Sequence, residues 1–441
     1  MAVILRSDTA YQGAIADLPP VTAPMPGDAA LYGDFVQDLY ITQAYRGADY
    51  SKVLDTAGVR RRYLRNAAGD VFLAAAASPR PSYDASGRRN GFLVEGENQN
   101  HLALAQRADP SQAEAQGVTF AKAGAAAEAF NQWWDVTGTG TTGHNLVFGT
   151  EVSISSGNMM CFALEVQHVN HRYVQLSSGA AEDATDYANF DLVERKVTAT
   201  GAGVSSAYIV PTLKGMTLVV QYYDTIAGTE RPTLSLVSSG TVAKQPANTA
   251  ATTTVRIRLA KLRYLPTSGA QAAPLSPLPT TGTTEPDQII PLATLVPTTG
   301  NWAFLMQGTT SPWINKLGAT IFTAGASASA GLMIRFEGAS LGLYSVAGGV
   351  NTLVHDFGVA YAPGMPLTVA VAREGNIFRA AVAGGKDYEG DLTAALANAA
   401  PRPFGNHFAT TRAWDGFMTR LIGWNAARSR AQLLALVQDY A

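Results

Sequence analysis

A single cysteine, Cys161, is the whole thiol content of this 441-residue chain. One thiol excludes an intrachain disulfide framework and any cysteine-built metal site. Set in Met159-Met160-Cys161-Phe162, it reads as a small core hydrophobe. Charge is scarce as well: Asp, Glu, Lys and Arg make up 15% of residues and the formal net charge is −2, against about a quarter charged in an average soluble chain. With no basic excess and no Lys/Arg-rich run, nucleic acid is not an expected partner. Arg60, Arg61 and Arg62 form the one tight basic triplet, which suits a solvated strand or an ion pair between subunits. No apolar run is long enough to span a bilayer. The start, Met1-Ala-Val-Ile-Leu-Arg6, lacks the charged-then-apolar order of a secretory leader, so synthesis in the cytoplasm is expected.

What the chain has in quantity is glycine (42) and proline (22), with Thr, Val, Ser and Ala filling the rest. That composition suits β-sandwiches, whose strands favour β-branched and aromatic residues and whose turns favour glycine. Residues 1–95 contain few large apolar side chains. Asp17-Leu-Pro-Pro-Val-Thr-Ala-Pro-Met-Pro-Gly27 is too proline-rich for a helix or a central strand. This region is expected to be an extended arm that packs on a neighbour, serving assembly. Residues 96–265 carry period-two strands at Asn145–Ile154, Cys161–Gln167, Arg172–Leu176, Ala188–Leu192, Thr217–Tyr223 and Thr254–Leu262, which predict an antiparallel sandwich. In the last of these, Val255, Ile257 and Leu259 are expected on one face, with Arg256 and Arg258 on the other. Residues 266–289 form a Pro/Thr-rich linker. Residues 290–441 hold a second strand-rich block ending in a short helix, for which Ser429 and Gln432 fit a capping box over the apolar face Leu433, Leu434 and Val437. The fold class is therefore mainly β, with an extended N-terminal region, two antiparallel sandwiches and a short C-terminal helix.

Three segments carry resemblances. Arg80, Tyr83, Asp84, Gly87, Gly91, Phe92, Leu93, Val94, Glu95 and Asn100 match a strap that resembles one in tailed-phage appendage proteins, with Phe92 and Val94 replacing the usual Leu and Ile. Tyr173–Leu176, Tyr187–Leu192, Val197–Gly203 and Arg258–Leu262 resemble pieces of the carbohydrate-binding-like jelly roll of phage fibres. Gly416, Trp424 and Asn425, followed by the capped helix, resemble the close of concanavalin A-like (laminin G-like) domains. These resemblances imply a virion structural protein, a tail fibre or head spike of a phage or gene-transfer particle. They also imply assembly as a homo-oligomer, contacts with other virion proteins through residues 1–95, and attachment to a host surface polysaccharide. Neither enzymatic activity nor a cofactor is implied.

The competing chemistries find little support in the residues. A glycosidase needs two carboxylates across a sugar cleft, and the Glu-x-Asp-x-x-Glu strand of laminarinase-type relatives is missing. Glu182-Asp183-Ala-Thr-Asp186 has fewer oxygen ligands than a calcium loop of EF-hand type. His168 and His171 lack a third metal ligand nearby. Sugar sites stack rings on aromatics and fix hydroxyls with polar groups, which makes Trp133, Trp134, Asp135, Trp414 and Asp415 the candidate carbohydrate-binding residues. Tyr222 and Trp424 are expected in a core or interface. Three readings stay open at this point: an adhesion protein, a capsule depolymerase, and a scaffolding spike base that binds no glycan.

Overall fold

The structure is a computed structural model that describes residues 28–55, 62–74, 81–94, 101–102, 106, 109–140, 143, 145–149, 159–179, 184–223, 231–246, 252–265, 290–297, 299–310, 319–327, 330–337, 340–362, 364–392, 400–404, 414 and 416–441. The expected linker 266–289, and Arg60, Arg61, Arg80, Glu95 and Asn100, lie outside the described residues.

Alternation builds the first sandwich. In the strand Met159–His168, Met160, Phe162, Leu164 and Val166 enter the apolar core, while Cys161 and Ala163 face the opposite side. The sheet runs Val118–Lys122, Trp134–Gly138, Thr254–Leu265, Met159–His168, Gly215–Tyr223, Val204–Thr212. It packs on a second sheet ordered Lys196–Thr200, Tyr187–Asp191, Tyr173–Ser177, Thr233–Val237, Asn145–Val147, Glu114–Gln116. Val174, Leu176, Phe190, Leu234 and Leu236 of that second sheet close the core.

The strand Thr254–Leu265 departs from simple alternation. Its register against Met159–His168 pairs Ala163 with Lys261 but Glu165 with Arg258, so Leu259 and Ala260 together oppose Leu164. This is a β-bulge, and Leu259 adopts a left-handed φ of 52° to make it. Val255 and Ile257 face the core as expected, and Ala260 and Leu262 join them. Leu259 does not: it packs outside the sandwich against Val71 and Phe130. The extra residue resets the alternation, so Arg258 and Lys261 both fall on the outer face.

The second sandwich corrects the reading of the N-terminal region. One of its sheets runs Val350–Ala360, Ser340–Ala347, Ala330–Glu337, Thr320–Ser327, Ala400–Pro403. The other begins Tyr388–Asp391, Ile377–Val382, Pro366–Glu374, Trp302–Thr310, Gly416–Trp424, and then continues into Leu31–Asp34, Leu39–Thr42 and Arg46–Gly47. Leu31 pairs with Gly423 and Asp34 with Arg420, and farther along the same edge Phe92 pairs with Met418 and Val94 with Gly416. Within the expected arm 1–95, Leu31–Asp34, Leu39–Thr42, Arg46–Gly47, Pro81–Tyr83 and Arg89–Val94 are thus integral to this chain's own C-terminal sheet, while Arg62–Arg65 and Val71–Ala74 form a hairpin of their own. The physical reason is the bare edge of Gly416–Trp424, whose backbone groups need a partner. Leu31, Phe35, Tyr40, Phe92 and Val94 are buried in the core they share with Trp302, Phe304 and Trp414. Gly91 has a φ of 137°, and a Cβ there would lie 2.6 Å from the Met418 carbonyl oxygen, so the strap requires glycine to reach this edge.

The closing helix, Arg430–Asp439, has the expected capping box: the Gln432 amide N–H donates to Ser429 Oγ (3.3 Å) and the Ser429 N–H donates to Gln432 Oε1 (2.8 Å). Leu433 and Val437 bury against Ile422 and Trp424.

Candidate functional site

The outer face of the first sandwich is where polar chemistry gathers. Glu165 follows Cys161 and Ala163 on that face, and the bulge brings Arg258 opposite it. Both side chains are 1% exposed. Cover comes from the hairpin Arg62–Arg65/Val71–Ala74, whose Arg65 reaches down from above. Arg258 donates to Glu165 through Nε (3.0 Å) and Nη2 (3.2 Å), and Arg65 donates through Nη2 (2.9 Å) and Nη1 (3.3 Å). Thr212 Oγ1 adds a further donor at 3.0 Å. Burial alone would raise the Glu165 carboxyl, but Arg65 and Arg258 outweigh it and hold the group down to about 2.

Arg258 extends this cluster toward Trp133. Its Nη1 donates to Asn131 Oδ1 (3.3 Å), its Nη2 to the Gly69 carbonyl (3.2 Å), and its guanidinium lies 4.4 Å from the Trp133 ring centroid. Asn131 in turn mimics a strand neighbour for Val71, accepting from its N–H and donating to its carbonyl, both at 2.8 Å. The N-terminal hairpin is therefore fastened to the first sandwich through Arg65, Val71 and Gly69.

Two openings flank this hairpin. On one side is a cavity of about 490 Å³ between the hairpin, the strap Pro81–Leu93 and the outer face of the sandwich. On the other is a cleft of about 540 Å³ lined by Trp133, Gln132, Glu128, Asp70, Phe72 and Lys214. Asn66 borders both. They are divided where the turn at Gly69 meets the turn at Leu213, pinned by an ion pair between Asp70 and Lys214. Gly69 has a φ of 78°, and a Cβ there would meet Leu213 and Lys214 at 3.2 Å. Contact this close between turns requires glycine.

Of the sequence-predicted site residues that are described, Trp133 alone stands in one of these openings, half-buried on the segment before the strand Trp134–Gly138. Trp134 packs against the sandwich core, with Lys122 Nζ 5.4 Å from its ring centroid. Asp135 accepts from Arg256 Nε at 2.7 Å across the sheet. Trp414 corrects the expectation: it is fully buried in the C-terminal sandwich, 5.7 Å from the Phe404 ring, and has no face left for a sugar. Asp415 lies outside the described residues. Tyr222 and Trp424 are core residues, as expected. His171 is buried with Nδ1 2.8 Å from Thr253 Oγ1, whereas His168 is exposed. Among the described residues, no three of His, Cys, Asp or Glu come together as a metal-holding group. Sequence reasoning missed Arg65, Glu165 and the two openings. The available signal was a lone carboxylate inside the otherwise apolar run Cys161–Val166.

No family model matches this chain, and no curated protein does. Among solved structures, similarity is found to chicken galectin 2 (13% identity, TM-score 0.18, covering 29% of this chain and 86% of galectin). It is also found to Trypanosoma rangeli sialidase in complex with the inhibitor DANA (9% identity, TM-score 0.25, 73% of this chain and 53% of the sialidase). A third is domains LG4-5 of the mouse laminin alpha1 chain (9% identity, TM-score 0.20, 64% of this chain and 85% of that one). At TM-scores this low none of the three bears on what this chain does, and its assignment as a mainly β, antiparallel sandwich protein rests on the strand registers described above.

Proposed function

We propose that this protein is a glycan-binding virion appendage without catalytic activity, a head spike or tail fibre of a phage or gene-transfer particle that docks on a host surface polysaccharide. The Trp133 cleft carries the binding half of this reading. An indole held from one side by Arg258, beside Gln132, Glu128, Asp70 and Lys214, combines an aromatic platform with hydroxyl-binding groups. The virion half rests on the strap resemblance. In this reading the chain is made in the cytoplasm, assembles as a homo-oligomer and meets other virion proteins through its N-terminal region.

A second reading follows from one observation: two carboxylates, Asp70 and Glu128, line the Trp133 cleft. Glycoside hydrolysis uses one carboxyl in an apolar enclosure as its acid. Glu128 is exposed and Asp70 is engaged by Lys214, so binding is the better supported of the two.

The test is calorimetric titration of host-derived capsule oligosaccharides into the full chain. Trp133→Ala is expected to weaken binding by roughly 10- to 100-fold, the loss of one stacking contact, while Trp134→Phe changes little. Reducing ends released by wild type, and not by Asp70→Asn or Glu128→Gln, would replace binding with hydrolysis. Cryo-electron microscopy of particles from the natural source tests the virion half, with density for this chain expected in a projecting spike or fibre.

A further inference from the structure

We propose that the cavity between the N-terminal hairpins and the first sandwich is the subsite for an acidic sugar, with Arg65 receiving its carboxylate. This rests on the glycan reading and narrows it to acidic polysaccharide.

Three observations carry it. Arg65, part-buried in the cavity lining, and Arg258, buried behind it, share the one carboxylate of Glu165, a surplus of one positive charge. A charge partly withdrawn from water without a full counter-charge is costly, and an incoming anion relieves that cost. Lys261, 5% exposed, lines the same cavity. It has contacts of its own, and the surplus at the floor stands without counting it. Asp84, the carboxylate among the lining residues, sits exposed on the rim, where its Oδ1 accepts from the Ser86 N–H (2.8 Å), Ser86 Oγ (2.6 Å) and the Arg88 N–H (3.0 Å).

The second observation is the geometry of Arg65. Both of its donations go to Glu165, and a guanidinium has further N–H donors in the same plane. Arg65 also lines the cavity, so those donors can meet a ligand carboxylate there. The third is Asn90, whose Oδ1 is buried at the cavity wall with no hydrogen-bond partner. An orphaned acceptor suits a sugar hydroxyl, which donates. Leu64 and Phe417 supply apolar wall for the C–H face of a ring.

The experiment is calorimetric titration of the full chain with D-glucuronate, D-glucose and inorganic phosphate at matched ionic strength. Glucuronate is expected to bind at least roughly tenfold more tightly than either glucose or phosphate. Arg65→Met is expected to erase that preference and remain folded, because Arg258 still holds Glu165 through two hydrogen bonds. Asn90→Asp provides a second route: it adds a like charge beside the ligand and lowers glucuronate affinity by roughly tenfold. Equal affinity for glucuronate and glucose overturns the proposal, as does phosphate binding as tightly as glucuronate. If Trp133-dependent glycan binding persists while the glucuronate preference is absent, the acidic subsite alone fails. If no sugar binds anywhere, both readings fail.

Discussion

Glu165 shows how much one side chain can hold together. Its carboxylate neutralises one of two arginines arriving from segments 100 and 93 residues away. Glu165→Gln leaves the buried Arg258 and the part-buried Arg65 without their counter-charge and is expected to destabilise the fold by about 3–5 kcal/mol, read from urea midpoints. The pH dependence has a definite sign. The folded carboxyl is depressed to about 2 from an ordinary value of 4.5, so its stabilising effect is complete above pH 4.5 and disappears as pH falls toward 2. The stability gap between wild type and Glu165→Gln should therefore close across that window, and a gap constant down to pH 2 would contradict the ion cluster. The two tryptophans make the complementary point. Trp133 and Trp414 both look like candidate sugar platforms in the sequence, yet one lines a cleft and the other is sealed in a core. Trp414→Ala is expected to cost about 3–5 kcal/mol of stability while glycan affinity per folded molecule stays unchanged. A tryptophan's neighbours in sequence cannot announce which case it is, because exposure depends on what else in the chain covers the ring.

Among the elements, the closing helix was the most legible and the bulged strand the least. Ser429 and Gln432 satisfy helix-end N–H groups locally, within one turn. Ser429→Ala is expected to cost about 1 kcal/mol in thermal or urea unfolding. The strand Thr254–Leu265 has an equally clear alternation, but the bulge at Leu259 depends on how the neighbouring strand aligns. Its consequence is local chemistry: with unbroken alternation over the same residues, Arg258 and Lys261 would face opposite sides. Gly91 was visible as part of a strap motif, and the structure supplies the reason for glycine there. Gly91→Ala drives a methyl group toward the Met418 carbonyl and is expected to destabilise by more than about 1 kcal/mol, detected as a lowered urea midpoint.

For the whole molecule, the consequential feature is that the C-terminal sandwich is completed by the N-terminal region. Arg420 Nη2 and Asp34 Oδ2 meet at 3.2 Å although 386 positions separate them. A fragment of residues 290–441 lacks the strands that cover one edge of Gly416–Trp424, along with Phe35, Tyr40, Phe92 and Val94 from its core. Such a fragment is expected to aggregate or to show no cooperative unfolding by circular dichroism, while the full chain unfolds cooperatively. A well-folded fragment would show that the N-terminal strands are dispensable. The same closure places the hairpin Arg62–Ala74 over the first sandwich, and so creates both openings. By itself the sequence determined the strand-rich class, the positions of several long strands and the helix cap, because period-two alternation and capping are written in neighbouring residues. Only the tertiary structure decided which segment pairs with Gly416–Trp424, where the alternation is reset, which tryptophan is open, and that Glu165 meets two arginines. Each of these depends on contacts between segments far apart in the chain, which local patterns do not encode.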